Sequence, residues 1–476
     1  MALRDTVISA LPFREYDFKV MVGYYILLFV SIWLAYQVVR AVWNISPFHP
    51  LSRIPGPKLA AATYLPEFYY DVVKFGKYTS EIKRMHEIYG TAMPCLPYFL
   101  PHDDNEYFTY IQTNMNEGLC LDASGFATAD HDLHRMRRAP LAKFFSKTQL
   151  TPMEPRVQQL AQHLCDKILA QAGTGKPFDL IMAYSCFTAD AISDYGFGES
   201  LGYLDQESWE PNFHKSLTMI LNTTHIFRFF PFLNGIVAIG SWFPDYLPKD
   251  IAVLIRTLNT TIPNLIRKAK HTMEAGIERK RPTVFAEMFK SDIPEQEKTM
   301  SRLVGEAAAL MNGGTGTVAW TLSIITYHLL TQPKVLDKLT DELRGVVSDP
   351  QRLPPWPTLE KLPYLGAVIQ EGLRLSYGAS GRTARVATGE DLVYSGEWKP
   401  EGAKDGVSLS YTIPRGYAVG MSAFLVHHDE TLFPDSYEFM PERWLDDNLE
   451  RRKEREQHFL SFGKGSRMCL GPIVKA

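Results

Sequence analysis

Residues 20–39 form an uninterrupted apolar stretch that carries no charge, with Ser31 and Gln37 as its clearly polar side chains. Wound into a helix, such a run is about 30 Å long and matches the hydrocarbon core of a bilayer. A cleaved leader has a shorter apolar core followed by small residues, whereas Tyr36, Arg40 and Trp43 stand here, so the pattern predicts a transmembrane anchor. Arg4, Arg14 and Lys19 precede the span and Arg40, Arg53 and Lys58 follow it, so flanking charge leaves its orientation open. Residues 1–19 form a short segment before the anchor. Residues 40–58 hold Pro47, Pro50, Pro55, Gly56 and Pro57 and predict a semi-rigid hinge. The remaining residues, 59–476, read as one domain.

Within that domain, apolar spacing at helical period predicts helices at 132–146, 151–171, 181–196, 250–275, 300–330, 333–347 and 358–376. Short alternating pieces at 392–395, 408–413 and 417–420, set between Gly and Pro turn signals, predict a minor sheet late in the chain. The class is mainly α with minor β. The helix at 300–330 is apolar on nearly all sides and contains Gly313, Gly314 and Gly316; glycines there weaken a helix, so something must approach its backbone closely. Residues 226–247 are crowded with Phe227, Phe229, Phe230, Phe232, Trp242, Phe243 and Tyr246, which fit either a core or an access lid dipping toward the bilayer.

Composition narrows the function classes. With 45% apolar and 22% charged residues, the chain is neither disordered, collagen-like nor a coiled coil. A net charge of −3 without a long basic run argues against a nucleic-acid partner. Cys95, Cys120, Cys165, Cys186 and Cys469 are odd in number and scattered, which suits a reducing compartment better than a disulfide framework. Asn44, Asn222 and Asn259 fit glycosylation sequons, a pattern that also arises by chance.

Candidate chemistry concentrates in Phe462-Gly463-Lys464-Gly465-Ser466-Arg467-Met468-Cys469-Leu470-Gly471. Glycines around a cysteine let the backbone wrap the sulfur, and amides aimed at it tune any metal that it binds. By itself a cysteine is more often a small buried apolar residue. A phosphate loop is excluded because His458 stands where the first Gly would be needed, and the dinucleotide pattern fails at Met468. Glu371 and Arg374 lie three apart on one helical face, and a further arginine, Arg443, could fill the remaining carboxylate lone pairs.

This run, Phe-Gly-x-Gly-x-Arg-x-Cys-x-Gly, resembles the haem-binding loop of cytochrome P-450 monooxygenases. Glu371-Gly372-Leu373-Arg374 is similar to that family's Glu-x-x-Arg, and Pro441-Glu442-Arg443-Trp444 to the segment that completes a Glu-Arg-Arg network. The resemblance extends over residues 20–476. His427-His428-Asp429-Glu430 and Leu373-Arg374-Leu375-Ser376-Tyr377-Gly378 are similar to phrases of fungal secondary-metabolism members. The family implies a helical fold with small β-sheets around haem (iron protoporphyrin IX) and an N-terminal transmembrane helix. It also implies Cys469 as the proximal thiolate on iron, within a loop that Phe462 and Gly463 open. Arg467, Arg385 and Arg138 would pair with haem propionates. His134, where many relatives have Trp, can still donate to one. Gly313-Gly314-Thr315-Gly316-Thr317 aligns with the Ala/Gly-Gly-x-Asp/Glu-Thr pattern, so Thr317 matches the threonine that relays protons for oxygen activation; its other reading is a helical Thr bonded to a backbone carbonyl.

Three departures stand out. Gly316 replaces the acid before that threonine, and residues 91–105, with Pro94, Pro97 and Pro101, fit poorly with the family's strand there. Only five residues follow Gly471, where the family continues with a helix and a hairpin, so the chain reads as cut short. The implied function is a single-pass endoplasmic-reticulum membrane monooxygenase, its catalytic domain facing the cytosol. It would hydroxylate or epoxidise a lipophilic secondary metabolite, terpenoid or polyketide-like, with O₂. Electrons would come from NADPH through NADPH-cytochrome P-450 reductase, since this chain has no flavin or nicotinamide fingerprint. Two alternatives are a haem-thiolate isomerase or dehydratase that does not use O₂, which Gly316 favours, and an inactive truncated haem binder.

Overall fold

The computed structural model describes residues 15–89, 123–230, 232, 233, 235, 246, 249–277, 281–378, 380–387, 389–398 and 405–471. The expectations for residues 91–105, for most of 231–248 and for Cys95 and Cys120 lie outside the described residues. Helices of eight residues or more are, in chain order, α1 Glu15–Asn44, α2 Tyr78–Tyr89, α3 His131–Phe144, α4 Glu154–Ala172, α5 Leu180–Phe197, α6 Phe213–Phe229, α7 Lys249–Arg256, α8 Ile262–Glu274, α9 Met300–Thr331, α10 Pro333–Arg344, α11 Pro363–Ser376 and α12 Leu449–His458. The strands are β1 Thr383–Val386, β2 Leu392–Trp398, β3 Val407–Ile413 and β4 Ala418–Met421. Two compact units result, Met1–Phe99 with Ala387–Tyr417 and Leu100–Val386 with Ala418–Ala476.

In the first unit, α1 contains the one helix span, Val20–Asn44, that is long and apolar enough to cross a membrane among the described residues. It runs past residue 39 through Asn44, so the first five residues of the predicted hinge are helical. Tight turns follow: Leu51 N–H donates to His49 Nδ1 at 3.2 Å, and the His49 ring meets Trp43 and Tyr417 edge-on. Helix α2, missed by sequence reading, buries Tyr78, Ile82 and Met85, spaced four and three apart on one face. β2 and β3 form an antiparallel hairpin from Leu392↔Ile413 to Trp398↔Val407.

The second unit is built on α5 and α9. Helix α5 is apolar on nearly every side and largely buried, with Asp179 capping its start and Gly198, at φ 79°, ending it in the left-handed region. Glycines let the two helices approach: a Cβ on Gly314 of α9 would sit 2.5 Å from Ile192 Cγ1, and one on Gly196 of α5 would sit 2.9 Å from Leu310 Cδ2. The glycines therefore do not break α9, which is continuous over 32 residues. Ile262 and Ile266 of α8, Phe285, and Leu303, Ala307 and Met311 of α9 are buried in the same core.

Two predicted helices are divided where proline removes a donor. In 250–275, Pro263 cannot bond back to the preceding turn, and Thr257–Thr261 widens to a π-turn in which Ile262 N–H reaches Thr257 O. In 358–376, Pro363 forces Leu362 to extended geometry (φ −76°, ψ 112°), so α11 starts only there. β4 does not join the hairpin into one sheet. It pairs with β1, a strand missed by sequence reading, from Thr383↔Met421 to Val386↔Ala418.

Candidate active site

Cys469 lies in an exposed loop whose shape two glycines make possible. Gly463 and Gly465 have φ of 66° and 78°, values that side chains resist. The turn is closed by Gly463 N–H on Leu460 O (2.9 Å), Met468 N–H on Gly465 O (3.0 Å) and Cys469 N–H on Phe462 O (2.9 Å). Beyond the cysteine, the Gly471 N–H donates to Cys469 Sγ at 3.3 Å. The sulfur is thus held on a fixed backbone and polarised by an amide, while remaining accessible.

Basic groups gather nearby. Arg138 and His134 come from α3, Arg385 from β1 and Arg467 from the cysteine loop. Burial lowers the pKa of all three arginines, and for Arg467 the charges of Arg385 and Arg138 add to the effect. Burial, and then the charges of Arg467 and Arg138, lower His134 to about 4, so it is neutral at ordinary pH and keeps one N–H to donate. No carboxylate among the described residues lies within ion-pair distance of Arg138, Arg385 or Arg467. Arg467 instead donates to the carbonyls of Thr128, Ala129 (2.6 Å) and Asp130 (3.4 Å), just ahead of α3, and Arg385 donates to Ala384 O at 2.9 Å.

Helix α3 is set against α9 by a buried charge ladder that sequence reading missed. Arg137 forms a two-point pair with Glu297 (2.7 and 3.0 Å), Glu297 also holds Arg302 (2.9 Å), Arg302 pairs with Glu306, and Glu306 accepts from Gly125 N–H (2.9 Å). Burial alone would raise the Glu297 carboxyl, but Arg137 and Arg302 outweigh it and hold the pKa below its ordinary value. Arg302 and Glu306 are one helical turn apart, but Arg137 and Gly125 join them from 160 residues or more away, and nothing in the local pattern marks those two as partners.

On α9, Gly313, Thr317 and Trp320 line an open face of a helix packed elsewhere. A Cβ on Gly313 would meet nothing within 4 Å. Thr317 Oγ1 donates to Gly313 O at 2.6 Å, the back-bonded state that sequence reading held as the alternative, and its lone pairs remain able to accept. At Gly316 a Cβ would come within 2.8 Å of Leu217 Cδ2 of α6, so the position of the family's acid is occupied here by an apolar neighbour.

Behind the cysteine loop, Glu371 of α11 is fully buried. Its carboxylate accepts from Arg374 Nε (2.9 Å) and Nη2 (2.8 Å), Arg443 Nε (3.0 Å), Met440 N–H (3.0 Å) and Trp444 Nε1 (2.9 Å). The arginines spend their other donors on backbone: Arg374 on His427, Ser436 and Glu438 carbonyls, Arg443 on Pro434 and Asp435. Burial pushes the Glu371 carboxyl up, but the Arg374 bonds and the two positive charges prevail and its pKa is lowered. Trp444 was visible in the sequence as a neighbour of Arg443, but its role as a donor to Glu371 emerges only from the fold.

A family model, Cytochrome P450, matches residues 110–474. The chain belongs to the cytochrome P450 family. It is 39% identical over 451 residues to cytochrome P450 monooxygenase ppzE of Metarhizium majus, covering 89% of this chain and 92% of that protein. Fusicoccadiene C-8 hydroxylase of Phomopsis amygdali is 34% identical over 457 residues, 91% of this chain and 83% of its own length. N-acetyltryptophan 6-hydroxylase ivoC of Emericella nidulans is 32% identical over 438 residues, 89% and 82% respectively. The chain is therefore a P450 monooxygenase, an oxidoreductase that incorporates oxygen, and its cofactor is haem iron. The donor set suits that group: an accessible sulfur for a soft-ligand metal position, and a cationic cluster with no carboxylate within ion-pair distance among the described residues for an anionic rim.

Proposed function

We propose that this P450 is a single-pass, membrane-anchored haem-thiolate monooxygenase that hydroxylates or epoxidises a lipophilic secondary metabolite, with electrons from NADPH through a separate NADPH-cytochrome P-450 reductase. The observation that carries the reading is the cysteine loop, in which Cys469 Sγ is accessible and receives the Gly471 amide. When bound, haem supplies the oxygen-activating chemistry, with a cysteine thiolate donating electron density that favours O–O cleavage. Cys469 holds the metal. Arg138, Arg385, Arg467 and neutral His134 hold the propionates, and Phe462 and Gly463 keep the loop in register. For Thr317 to relay a proton, its O–H, which donates to Gly313 O, would turn away from that carbonyl to give up its proton while an Oγ1 lone pair takes one from water on the open side. Gly316 has no acid to supply protons, so water must reach Thr317 along the open face. Glu371, Arg374 and Arg443 keep α11 and the loop behind it rigid.

The apolar span Val20–Asn44 supports anchoring, and an endoplasmic-reticulum membrane with the catalytic domain on the cytosolic side is the setting in which a reductase would reach it. The relatives named as hydroxylases of fusicoccadiene and of N-acetyltryptophan support C–H hydroxylation, and of the terpenoid and polyketide-like classes the first favours the terpenoid. The test is co-expression with a reductase in microsomes, followed by assays of NADPH consumption and of oxygenated products from candidate terpenoids and polyketides. Substrate-dependent NADPH use with one oxygen atom added supports the reading. Conversion without NADPH points to an isomerase or dehydratase, and a protein that takes up no haem refutes the proposal.

A further inference from the structure

The proposed chemistry leaves two adjacent buried histidines unused. His427, fully buried at the end of the short helix Ala423–His427, has Nδ1 2.9 Å from the Arg374 carbonyl oxygen and Nε2 2.9 Å from the Leu460 N–H. A carbonyl only accepts and an amide N–H only donates, so these partners fix the ring as the neutral tautomer with its proton on Nδ1. One edge of the ring therefore holds the last turn of α11, and the other holds the strand of chain entering the cysteine loop. Leu460 O is the acceptor for Gly463 N–H, and Phe462 O, two residues on, is the acceptor for Cys469 N–H. The ring also stacks on Phe459, with centroids 5.6 Å apart and planes at 15°. A second tie, Ser461 Oγ to Leu373 O at 2.8 Å, runs in the same direction.

We propose that His427 is a positioning residue for the cysteine loop, setting the turn at Leu460–Gly463 and through it the orientation of Cys469. His428 offers the contrast. It accepts from the Tyr377 hydroxyl at 2.7 Å and donates through Nδ1 to Ser436 Oγ at 3.0 Å, and Ser436 donates on to Glu430 at 2.6 Å. That chain braces the segment after α11 and the turn at 430–436, and none of these three bonds ends on residues 460–469.

The experiment compares His427→Gln, His427→Asn, His427→Phe and His428→Phe in the full-length, haem-loaded protein. Gln can return an acceptor to Leu460, Asn can return only a donor to Arg374 O, and Phe retains the stack but neither bond. The readouts are hydrogen exchange at the Leu460 amide and the fraction of ferrous carbon monoxide complex that absorbs at the thiolate-ligated position. His427→Asn and His427→Phe are expected to speed Leu460 exchange roughly tenfold and to lose part of the thiolate band. His427→Gln is expected to retain both, and His428→Phe to lower the melting midpoint while leaving both unchanged. Equal behaviour of His427→Gln and His427→Asn, or an equal effect of His428→Phe, overturns the proposal. If His427→Phe does not fold, the Gln and Asn pair still decides it. The inference leans on the reading of Cys469 only for the spectrum: a wild-type protein without the thiolate band would refute that reading, and the Leu460 exchange comparison would still test the positioning.

Discussion

Replacing Glu371 with Gln keeps the shape of the side chain and removes its charge, and the geometry allows the cost to be reasoned through. Oε1 receives Arg374 Nη2, Arg443 Nε and Met440 N–H, while Oε2 receives Arg374 Nε and Trp444 Nε1. A Gln amide can place its NH₂ at either site, so at best the two donors on Oε2 face another donor. Each buried donor left unpaired costs about 1–3 kcal/mol, and the two guanidinium groups also lose their only shared buried counter-charge among the described residues. Breaking a buried pair from one side typically costs about 3–5 kcal/mol, a large part of the roughly 5–15 kcal/mol that holds a domain folded. Urea denaturation of the full-length protein, followed by tryptophan fluorescence, measures the loss. Glu442→Gln is the control: its charged partner Lys338 is largely exposed and an amide oxygen can still accept from the Tyr364 hydroxyl, so the change is worth less than about 1 kcal/mol. A Glu371→Gln protein within about 1 kcal/mol of wild type, or one no worse than Glu442→Gln, would refute the view that this carboxylate organises the region behind the cysteine loop.

Cys469→Ser is expected to abolish the thiolate-type carbon monoxide band while far-UV circular dichroism stays at wild-type values; an unchanged band removes Cys469 as the metal ligand. Gly314→Ala should cost about 1–3 kcal/mol, because its Cβ would strike the stiff, β-branched Ile192 at 2.5 Å. Gly316→Ala meets only the far end of Leu217 and should cost less, so thermal melts that rank the two in reverse would contradict the packing argument. Burial, with the Arg374 charge acting in the same direction against a favourable Arg374 carbonyl bond and the Glu371 charge, lowers His427 from 6.5 to about 4. The unfolded chain thus takes up a proton between those values that the folded chain refuses. Its contribution is complete above about pH 6.5 and falls by about 3 kcal/mol as pH drops to about 4. His427→Gln should flatten that slope in urea titrations between pH 6.5 and 4, and an unaltered slope excludes His427 as its source.

Much of the site was legible because its signals are local. The glycines around Cys469 are needed within a few residues of one another, Glu371 and Arg374 sit one helical turn apart, and the anchor announces itself by length alone. Helix ends that depend on a single proline were read less well, since periodicity continues through Pro263 and Pro363 while the backbone hydrogen bonds do not. The α2 helix carried a legible signal, Tyr78, Ile82 and Met85 on one face of twelve residues, that sequence reading passed over, whereas β1 spans four residues, too few for a period to emerge.

By itself, then, the sequence determined the kind of chemistry: a cysteine in a glycine-bracketed loop, a carboxylate and arginine one turn apart, and an apolar span of membrane length. Tertiary structure alone decided which distant groups complete those motifs. Trp444 and Met440 close the shell around Glu371, Arg137 finds Glu297, Leu217 occupies the space where an acid at 316 would reach, and His427 joins α11 to the cysteine loop. The reason is physical. Local motifs are written by backbone geometry within a few residues, whereas a buried donor or acceptor is satisfied by whatever packing brings within about 3 Å, and that partner leaves no periodic trace along the chain.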